Sequence, residues 1–397
     1  MKSIDRFFVF LMLFAGCLMA VCCEKPVQAE HDDPDNPPVD TTGTTPVPEP
    51  DSSYVDIVQD VLYLLREESM ALEIDTCGAS AAPVWASSDE SVATVSSEGL
   101  VRAVAPGKAA ISVACGDLYD ECPVTVFYGD KKPENAYVGD YYLSDGSILG
   151  QNAAPSEIRA ADVIGVVFCT DVSRMGKAEK DFLMEKGITP NGLVMAARHA
   201  PEPLRWYYVE REFDFTLDER EIGMQDILVL GDPVATYRLA QNDLNGFQYY
   251  KSIRELRTEG YEAGYYQAFS FIEEFESQVP SPEITTGWYL PSTGQWFDIL
   301  RNLAGATLNT TSSFNDGDYG SFFWVGKGDV PELMNANLEK ISDDCKTLFD
   351  ATTNQLWTSS QASSNQARVI IFDNASFIYS YWYYKFYYFG ARCVLGF

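Results

Sequence analysis

The chain has 397 residues, of which 46% are hydrophobic and 13% aromatic, so it can form two or three domains with sizeable cores. Its 58 acidic and 28 basic residues give a formal net charge of −30, which argues against nucleic acid or an anionic membrane surface as a partner. With two histidines, His31 and His199, a histidine metal site or a histidine-dependent catalytic triad is not expected.

Residues 1–23 have the pattern of an export signal, in which two basic residues precede an apolar stretch too short to span a membrane comfortably. Three cysteines near its end resemble a bacterial lipoprotein signal, in which one cysteine is lipidated and becomes the mature N-terminus. The polar boundary favours Cys22 or Cys23, and the small residues before Cys17 make it the alternative lipidation site. An ordinary secretory signal with incidental cysteines is the other interpretation.

Residues 24–53 are predicted to be a disordered tether, because they are acidic, rich in Pro and Thr and nearly free of large apolar residues. The prolines favour a semi-extended chain. The acidic cluster at 28–33 resembles the export tag of some Gram-negative lipoproteins. That resemblance implies a protein held at the outer membrane by an N-terminal lipid and facing the cell exterior, and a plain acidic linker is the equal alternative.

Residues 54–128 are predicted to form a small all-β sandwich, because short β-branched runs alternate with turn residues. The expected strands lie at 71–74, 84–86, 92–95, 100–104, 109–114 and 124–127. The sequences WASSDESVATV at 85–95 and GLVRAVAPGKAAISV at 99–113 resemble the bacterial Ig-like domain, group 2. That resemblance implies a domain that spaces or stiffens a surface protein, without a catalytic role.

The cysteines of an exported protein are candidates for disulfides. Cys115 and Cys122 flank a short connection and could close a hairpin, or either could pair with Cys77. The alternative is that they are small buried apolar residues. Further along the chain, Cys345 and Cys393 are expected to be a disulfide or buried thiols rather than a catalytic pair.

Residues 133–397 are predicted to form an α+β domain. Apolar residues at three- and four-residue steps predict helices at 250–259, 263–277, 293–303 and 331–341. Apolar and aromatic runs predict strands at 137–143, 161–170, 191–197, 356–359, 367–373, 377–384 and 390–395. Ser292 or Thr293 is the expected N-cap of the third helix.

A series of short motifs runs through this domain in a defined order. They are DYYLSDGS at 140–147, GVVF at 165–168, NGLVMA at 191–196, GWYLPS at 287–292, LWTSS at 356–360 and ARCV at 391–394. The series resembles the exported C-type-lectin-like domains of surface lipoproteins, collagen-like adhesins and fimbrial tip proteins, which usually have His where this chain has Asn191. The resemblance implies a C-type-lectin-like fold with ligand contacts on long loops.

No cofactor, metal ion or catalytic residue is predicted. Lectins with this fold often bind sugar through a calcium ion held by Glu-Pro-Asn or Gln-Pro-Asp and Trp-Asn-Asp sequences, none of which occurs here. The formylglycine-generating enzymes share the fold but use a redox-active cysteine pair, so an enzyme of that kind is the less favoured alternative.

The run from Phe377 to Phe389 is almost entirely aromatic and contains the candidate ligand-binding residues. These candidates are Tyr379, Tyr381, Trp382, Tyr383, Tyr384 and Tyr387. Alternation along a strand lets one face pack on the core, so the other face is either covered by the domain or exposed. Exposed Tyr and Trp suit sugar rings or a protein partner, and the alternative is that both faces are buried.

The sequence as a whole predicts a non-enzymatic binding protein or adhesin on the cell surface, with a glycan or a protein as the ligand of its C-terminal domain. The alternative is a structural or fimbria-associated subunit, whose aromatic strand docks other fimbrial subunits. A concave, exposed aromatic surface would favour ligand binding, whereas an exposed, unpaired strand edge would favour assembly.

Overall fold

The computed structural model describes residues 53–209, 218–315, 320–349, 355–372 and 377–397. The predicted signal, with Cys17, Cys22 and Cys23, and the predicted tether up to residue 52 lie outside the described residues. Within the described ranges, no helix is both long and apolar enough to cross a membrane.

The described chain begins with a β-sandwich. Its strands are β1 Tyr54–Ile57, β2 Leu62–Leu64, β3 Ser69–Ala71, β4 Ile74–Cys77, β5 Val84–Ser87, β6 Ala93–Val95, β7 Leu100–Ala103, β8 Gly107–Cys115 and β9 Leu118–Val126. One sheet has the order β2-β9-β8-β5, a second has the order β3-β7-β6, and β1 pairs with β4. In β8, Ala109, Ile111 and Val113 point into the core while the residues between them are partly or fully exposed. Because side chains alternate between the two faces of a strand, the apolar residues of β8 lie between the sheets.

The first predicted strand of the sandwich is placed differently in the structure. The predicted strand at 71–74 is the junction between β3 and β4. Leu72 leaves the β3 ladder there, and its backbone N–H bonds the carbonyl of Gly99 at 3.0 Å. The sequence also did not predict β1 and β2.

The cysteines of the described residues are free thiols: Cys77, Cys115, Cys122, Cys169, Cys345 and Cys393. A disulfide that closes the hairpin and a pairing with Cys77, the two disulfide alternatives, are therefore both absent. Strand register explains the first of these. Cys115 lies opposite Leu118 and Cys122 lies opposite Ile111, so the two thiols are not cross-strand partners. Cys115, Cys122 and Cys393 are instead buried apolar side chains, which was the alternative.

The region after the sandwich mixes helices and strands. The helices are α1 Pro155–Ala160, α2 Lys177–Glu185, α3 Pro233–Asn242, α4 Gly246–Leu256, α5 Thr258–Glu262, α6 Gln267–Gln278, α7 Thr293–Ala304, α8 Thr310–Asn315 and α9 Val330–Leu338. The strands are β10 Tyr141–Leu143, β11 Ile148–Leu149, β12 Val163–Cys169, β13 Leu193–Ala196, β14 Leu204–Arg205, β15 Thr307–Leu308, β16 Phe322–Val325, β17 Gln355–Ser363, β18 Gln366–Phe372, β19 Phe377–Tyr384, β20 Tyr388–Phe389 and β21 Val394–Gly396.

Two five-stranded sheets organise this region. The first has the order β11-β10-β12-β13-β21, so the last strand pairs with one from the first half of the region. The second has the order β15-β16-β19-β18-β17, and β14 and β20 form a separate pair. Helix α7 contacts β12 of the first sheet and β17 and β18 of the second, so it lies at the centre of the region.

Helix α7 forms where its local sequence predicts a helix. Ser292 and Gln295 make a capping box at its start, and Gly305 ends it in the left-handed conformation with φ of 60°. Its fully buried stripe consists of Trp296, Phe297, Ile299 and Leu300. The predicted helices at 263–277 and 331–341 correspond to α6 and α9, while that at 250–259 is divided between α4 and α5. The described chain is therefore multidomain, with a β-sandwich followed by a mixed helix and strand region.

Candidate ligand-binding surface

Strand β19 carries most of the predicted ligand-binding residues. It lies between β16 and β18 in the second sheet. Its ladder with β16 ends where Phe322 lies opposite Ser380, whereas its ladder with β18 continues until Gln366 lies opposite Tyr384. The first half of β19 is therefore an interior strand, and residues 381–384 extend past the end of β16.

Exposure rises along β19 towards the turn that follows it. Ile378 and Ser380 are fully buried, whereas Trp382 on the same face is half-buried and Tyr384 is 42% exposed. The opposite face carries half-buried tyrosines, namely Tyr379, Tyr381 and Tyr383. The core thus covers the beginning of the strand, and neither of the two faces expected from sequence is uniformly exposed or uniformly buried.

The aromatic rings after Ser380 form a continuous series of contacts. Tyr381 stacks on Trp382 with ring centroids 5.0 Å apart, and its other neighbour is Tyr383 at 5.5 Å. Tyr383 meets Tyr387 edge-on at 5.6 Å and buried Phe389 at 5.1 Å. The series therefore connects the surface to the core, which restricts the motion of the outer rings.

The turn between β19 and β20, together with the first residue of β20, presents the most exposed rings of the aromatic run. It is closed by a bond of 3.0 Å from the backbone N–H of Tyr387 to the carbonyl of Tyr384. Phe386 stacks on Tyr384 with centroids 5.4 Å apart. Tyr387 is 44% exposed and Tyr388 is 53% exposed.

We refer to the aromatic rings at 381–384 and 386–388 as the aromatic patch. It contains five of the six predicted ligand-binding residues. The sixth, Tyr379, packs edge-on against Phe323 with centroids 4.9 Å apart, in the interior half of the strand. The structure therefore brings together the predicted residues that lie at the strand end and in the turn.

A second segment, residues 204–208, completes this surface. It pairs with β20 through β14, where Arg205 lies opposite Tyr388. The Arg205 guanidinium lies between the rings of Tyr208 and Tyr388, at 3.7 and 4.4 Å from their centroids. This cation–π stacking holds the most exposed ring of the aromatic patch in place.

Two buried tryptophans attach the 204–208 segment to β17. The indole N–H of Trp206 donates to the carbonyl of Thr358 at 2.9 Å, and that of Trp357 donates to the carbonyl of Leu204 at 2.7 Å. Both indole rings are fully buried, so each N–H needs such an acceptor. The support beneath the aromatic patch is therefore rigid.

Lys385 is the one residue of the turn that points inward. Its side chain is buried, with Nζ 3.1 Å from Oε1 of Gln361 and 4.4 Å from the ring centroid of Trp206. Its backbone N–H bonds the Asn365 carbonyl, and its own carbonyl accepts from the N–H of Tyr207. Burial lowers the pKa of Lys385 to about 8, and nearby carboxylates limit the fall.

Two acidic side chains lie near this lysine, the partly exposed Asp226 in a loop and the buried Glu219 in a short 3-10 helix. Asp226 accepts from Nε2 of Gln361 at 2.7 Å, and burial raises the pKa of its carboxyl. Glu219 is fully buried and accepts from the Tyr266 hydroxyl at 2.7 Å and from Nε of Arg257 at 3.1 Å. The aromatic patch therefore lies over a polar cluster whose side chains are joined by hydrogen bonds.

A cavity of about 560 Å³ opens beside the 204–208 segment. Tyr207 and Tyr266 form part of its wall, with ring centroids 4.9 Å apart. The other lining residues are Leu256, Arg257, Thr258, Glu259, Gly260 and Tyr265. Aromatic faces beside hydrogen-bonding groups are typical of sites for polar ring-shaped ligands.

The residues that support and extend the aromatic patch were not predicted from sequence. Arg205, Trp206 and Lys385 belong to this set, as does the cavity wall formed by Tyr207. The sequence Arg-Trp-Tyr-Tyr at 205–208 was the available signal, because it pairs a cation with three aromatics. Among the described residues, no cluster of His, Cys, Asp and Glu has the arrangement of a metal site.

Comparison with known families identifies the first domain. Residues 54–126 match the bacterial Ig-like domain, group 2. The chain therefore contains a bacterial Ig-like sandwich, as its turn and strand motifs predicted, followed by a mixed helix and strand region. No curated protein matches the chain.

Several solved structures resemble the chain over different lengths. A fimbrial protein from Bacteroides ovatus matches over 87% of this chain and 70% of its own, with 16% identity and a TM-score of 0.45. Domains 4 and 5 of the S-layer protein SbsC match over 18% of this chain and 50% of their own, with 17% identity and a TM-score of 0.17. An EHEC O157:H7 intimin mutant matches over 22% of this chain and 49% of its own, with 21% identity and a TM-score of 0.16. These likenesses are too distant to indicate a ligand.

Proposed function

We propose that the chain is a non-enzymatic surface protein that binds a glycan through the aromatic patch. The observation that carries this proposal is the continuous series of partly exposed rings at 381–384 and 386–388, fixed from below by buried tryptophans. Rigid tyrosine and tryptophan rings give large contact area at low entropic cost, and their faces match the apolar faces of sugars. The polar cavity beside them supplies hydrogen-bonding groups.

The remaining segments are proposed to present this surface. A lipid on Cys22 or Cys23, with Cys17 as the alternative, would anchor the chain at the outer membrane. The acidic tether and the Ig-like domain would then hold the binding region away from the cell. The motif series from 140–147 to 391–394 supports the further proposal that this region is C-type-lectin-like.

The experiment is a glycan array probed with the chain and with a variant carrying Tyr384→Ala, Tyr387→Ala and Tyr388→Ala. We expect the variant to bind at least about tenfold more weakly, because each lost ring contributes roughly 0.5–1.5 kcal/mol. A matched control is the double variant Tyr119→Ala and Tyr137→Ala, whose rings are exposed outside the aromatic patch. Equal binding by all three proteins would exclude the aromatic patch as the glycan site.

Assembly with fimbrial subunits is the alternative function. The interior position of the first half of β19 counts against assembly through that part of the strand. Docking of a protein on the exposed rings is tested by co-purification from cell-surface extracts and by binding to host matrix. If the chain binds no glycan but retains a surface subunit through the same three tyrosines, the assembly function replaces the glycan proposal.

A further inference from the structure

Hydrogen bonds beneath the aromatic patch join three groups with complementary chemistry. Lys385 supplies an amine, Gln361 a carboxamide and Asp226 a carboxyl group. The lysine Nζ lies 3.1 Å from Oε1 of the glutamine, and the glutamine Nε2 lies 2.7 Å from Oδ1 of the aspartate. Gln361 is fully buried and Lys385 is 3% exposed.

We propose that Lys385 and Gln361 form an intramolecular isopeptide cross-link, with Asp226 as the proton-transfer group. The product is an amide between Nζ of the lysine and Cδ of the glutamine. The inference concerns the covalent structure beneath the aromatic patch and does not depend on the identity of any ligand.

The reaction balances without an oxidant or a co-reactant. The lone pair of neutral Nζ attacks Cδ, a new C–N bond forms, and the bond from Cδ to Nε2 breaks. Asp226 gives its proton to the departing Nε2, which leaves as ammonia, and then takes a proton from the attacking nitrogen. The net change is one amide exchanged for another with release of one ammonia molecule.

The surroundings favour each requirement of this step. Packing against the Trp206 ring keeps water from the amine, and burial holds part of the lysine population neutral near neutral pH. Partial burial raises the pKa of Asp226, which must act as an acid, while the Arg220 guanidinium 3.6 Å away opposes that rise. The hydrogen bond of 3.1 Å holds the amine beside the carbonyl group to be attacked, which lowers the entropic cost of their encounter.

The charged groups around the lysine set the pH dependence of the reaction. Glu219, Asp226 and Asp218 stabilise the ammonium form, whereas burial and Arg257 oppose it. Raising the pH forms neutral lysine but also removes the proton of Asp226. We therefore expect the rate of cross-linking in freshly refolded chain to follow a bell-shaped pH profile that declines above about 8, where the lysine is already neutral.

The cross-link would join the turn after β19 to β17. It would tie together the element that presents the aromatic rings and the strand to which Trp206 and Trp357 are bonded. Such a bond lies beneath a surface that faces solvent, where it would resist local opening of the turn.

The test is peptide mapping of the purified full chain by mass spectrometry after proteolysis. We expect a branched peptide that contains Gln361 and Lys385 and is lighter than its two linear parts by one ammonia molecule. Lys385→Arg should give only linear peptides, and Lys186→Arg, a change at an exposed position, should leave the branched peptide intact. Linear peptides alone from the unmodified chain would overturn the proposal.

The variant Asp226→Asn tests proton transfer by Asp226 without disturbing the fold. This variant keeps an acceptor for the glutamine amide but cannot transfer the proton, so we expect linear peptides from a chain with unchanged circular dichroism. A branched peptide at the wild-type level in this variant would overturn the role given to Asp226.

Discussion

Glu179 is a fully buried carboxyl group in helix α2. It accepts a hydrogen bond from the Tyr289 hydroxyl and another, of 3.2 Å, from the backbone N–H of Gly176. These bonds favour the charged form, but burial outweighs them and raises the pKa of Glu179 to about 7. The same burial raises the pKa of Tyr289 well above its usual value, so the pair is neutral in the folded chain below neutral pH.

The raised pKa predicts a pH-dependent stability. In the unfolded chain Glu179 ionises near its usual pKa of 4.5, whereas in the folded chain it stays protonated to about 7. The contribution of Glu179 to the free energy of unfolding is therefore complete below pH 4.5. It falls by roughly 3 kcal/mol as the pH rises to about 7. Urea unfolding across this pH range should show that the free energy of unfolding falls in the wild type and does not fall in Glu179→Gln.

Glu185→Gln is the matched control, because this residue lies on the same helix and is exposed. It should follow the wild type across the whole range. Parallel stability curves for the wild type and Glu179→Gln would show that Glu179 has the same pKa in the folded and the unfolded chain.

At the scale of elements, the backbone at the start of helix α7 packs directly against the backbone at the end of α3. Gly294 lies in the first turn of α7, and a Cβ atom there would stand 2.5 Å from the carbonyl oxygen of Asp243 and 2.9 Å from that of Gln241. Its backbone N–H bonds the Asp243 carbonyl at 3.0 Å. The glycine is therefore required by contact rather than by an unusual backbone angle.

We expect Gly294→Ala to destabilise the chain by about 1–3 kcal/mol, although alanine is the better helix former. The reason is that the methyl group would displace backbone atoms, which cannot move aside as a flexible side chain can. Gly328→Ala is the control, since its Cβ would meet no atom within 4 Å. Chemical denaturation should show a loss for the first variant only, and equal stability of the two would mean that α3 shifts without cost.

Local sequence predicted α7 because its cap and apolar stripe lie within one stretch of chain. It did not predict the exposure of Trp382 and Tyr384, which depends on where β16 ends. Nor did it predict the 204–208 segment or the role of Lys385, since their partners lie far along the chain. The aromatic run could be recognised from sequence, but its support could not.

At the scale of the whole molecule, the chain has two separate hydrophobic cores. One lies in the Ig-like sandwich and includes Ile111, and the other lies in the mixed region and includes Ile370. The contact between these parts includes an ion pair of 2.8 Å from Lys132 to Glu68 and a cavity of about 750 Å³. An exposed ion pair and an open cavity couple two domains weakly.

Calorimetry should therefore resolve two thermal transitions. Ile111→Ala should lower the transition of the sandwich, and Ile370→Ala that of the mixed region, each by the several degrees that about 2–5 kcal/mol implies. Each variant is the control for the other. A single transition that both variants shift equally would show that the two cores unfold as one unit.

The pairing of β13 with β21 also fixes an order of events during synthesis. The N–H groups of Asn191 and Gly192 bond the carbonyl of Phe397, so the start of β13 waits for partners that the ribosome adds much later. At typical rates of translation the delay is about 10–40 s. Throughout that interval β13 is the open edge of its sheet, and a nascent chain must be kept from pairing with its neighbours until Val394–Gly396 arrives.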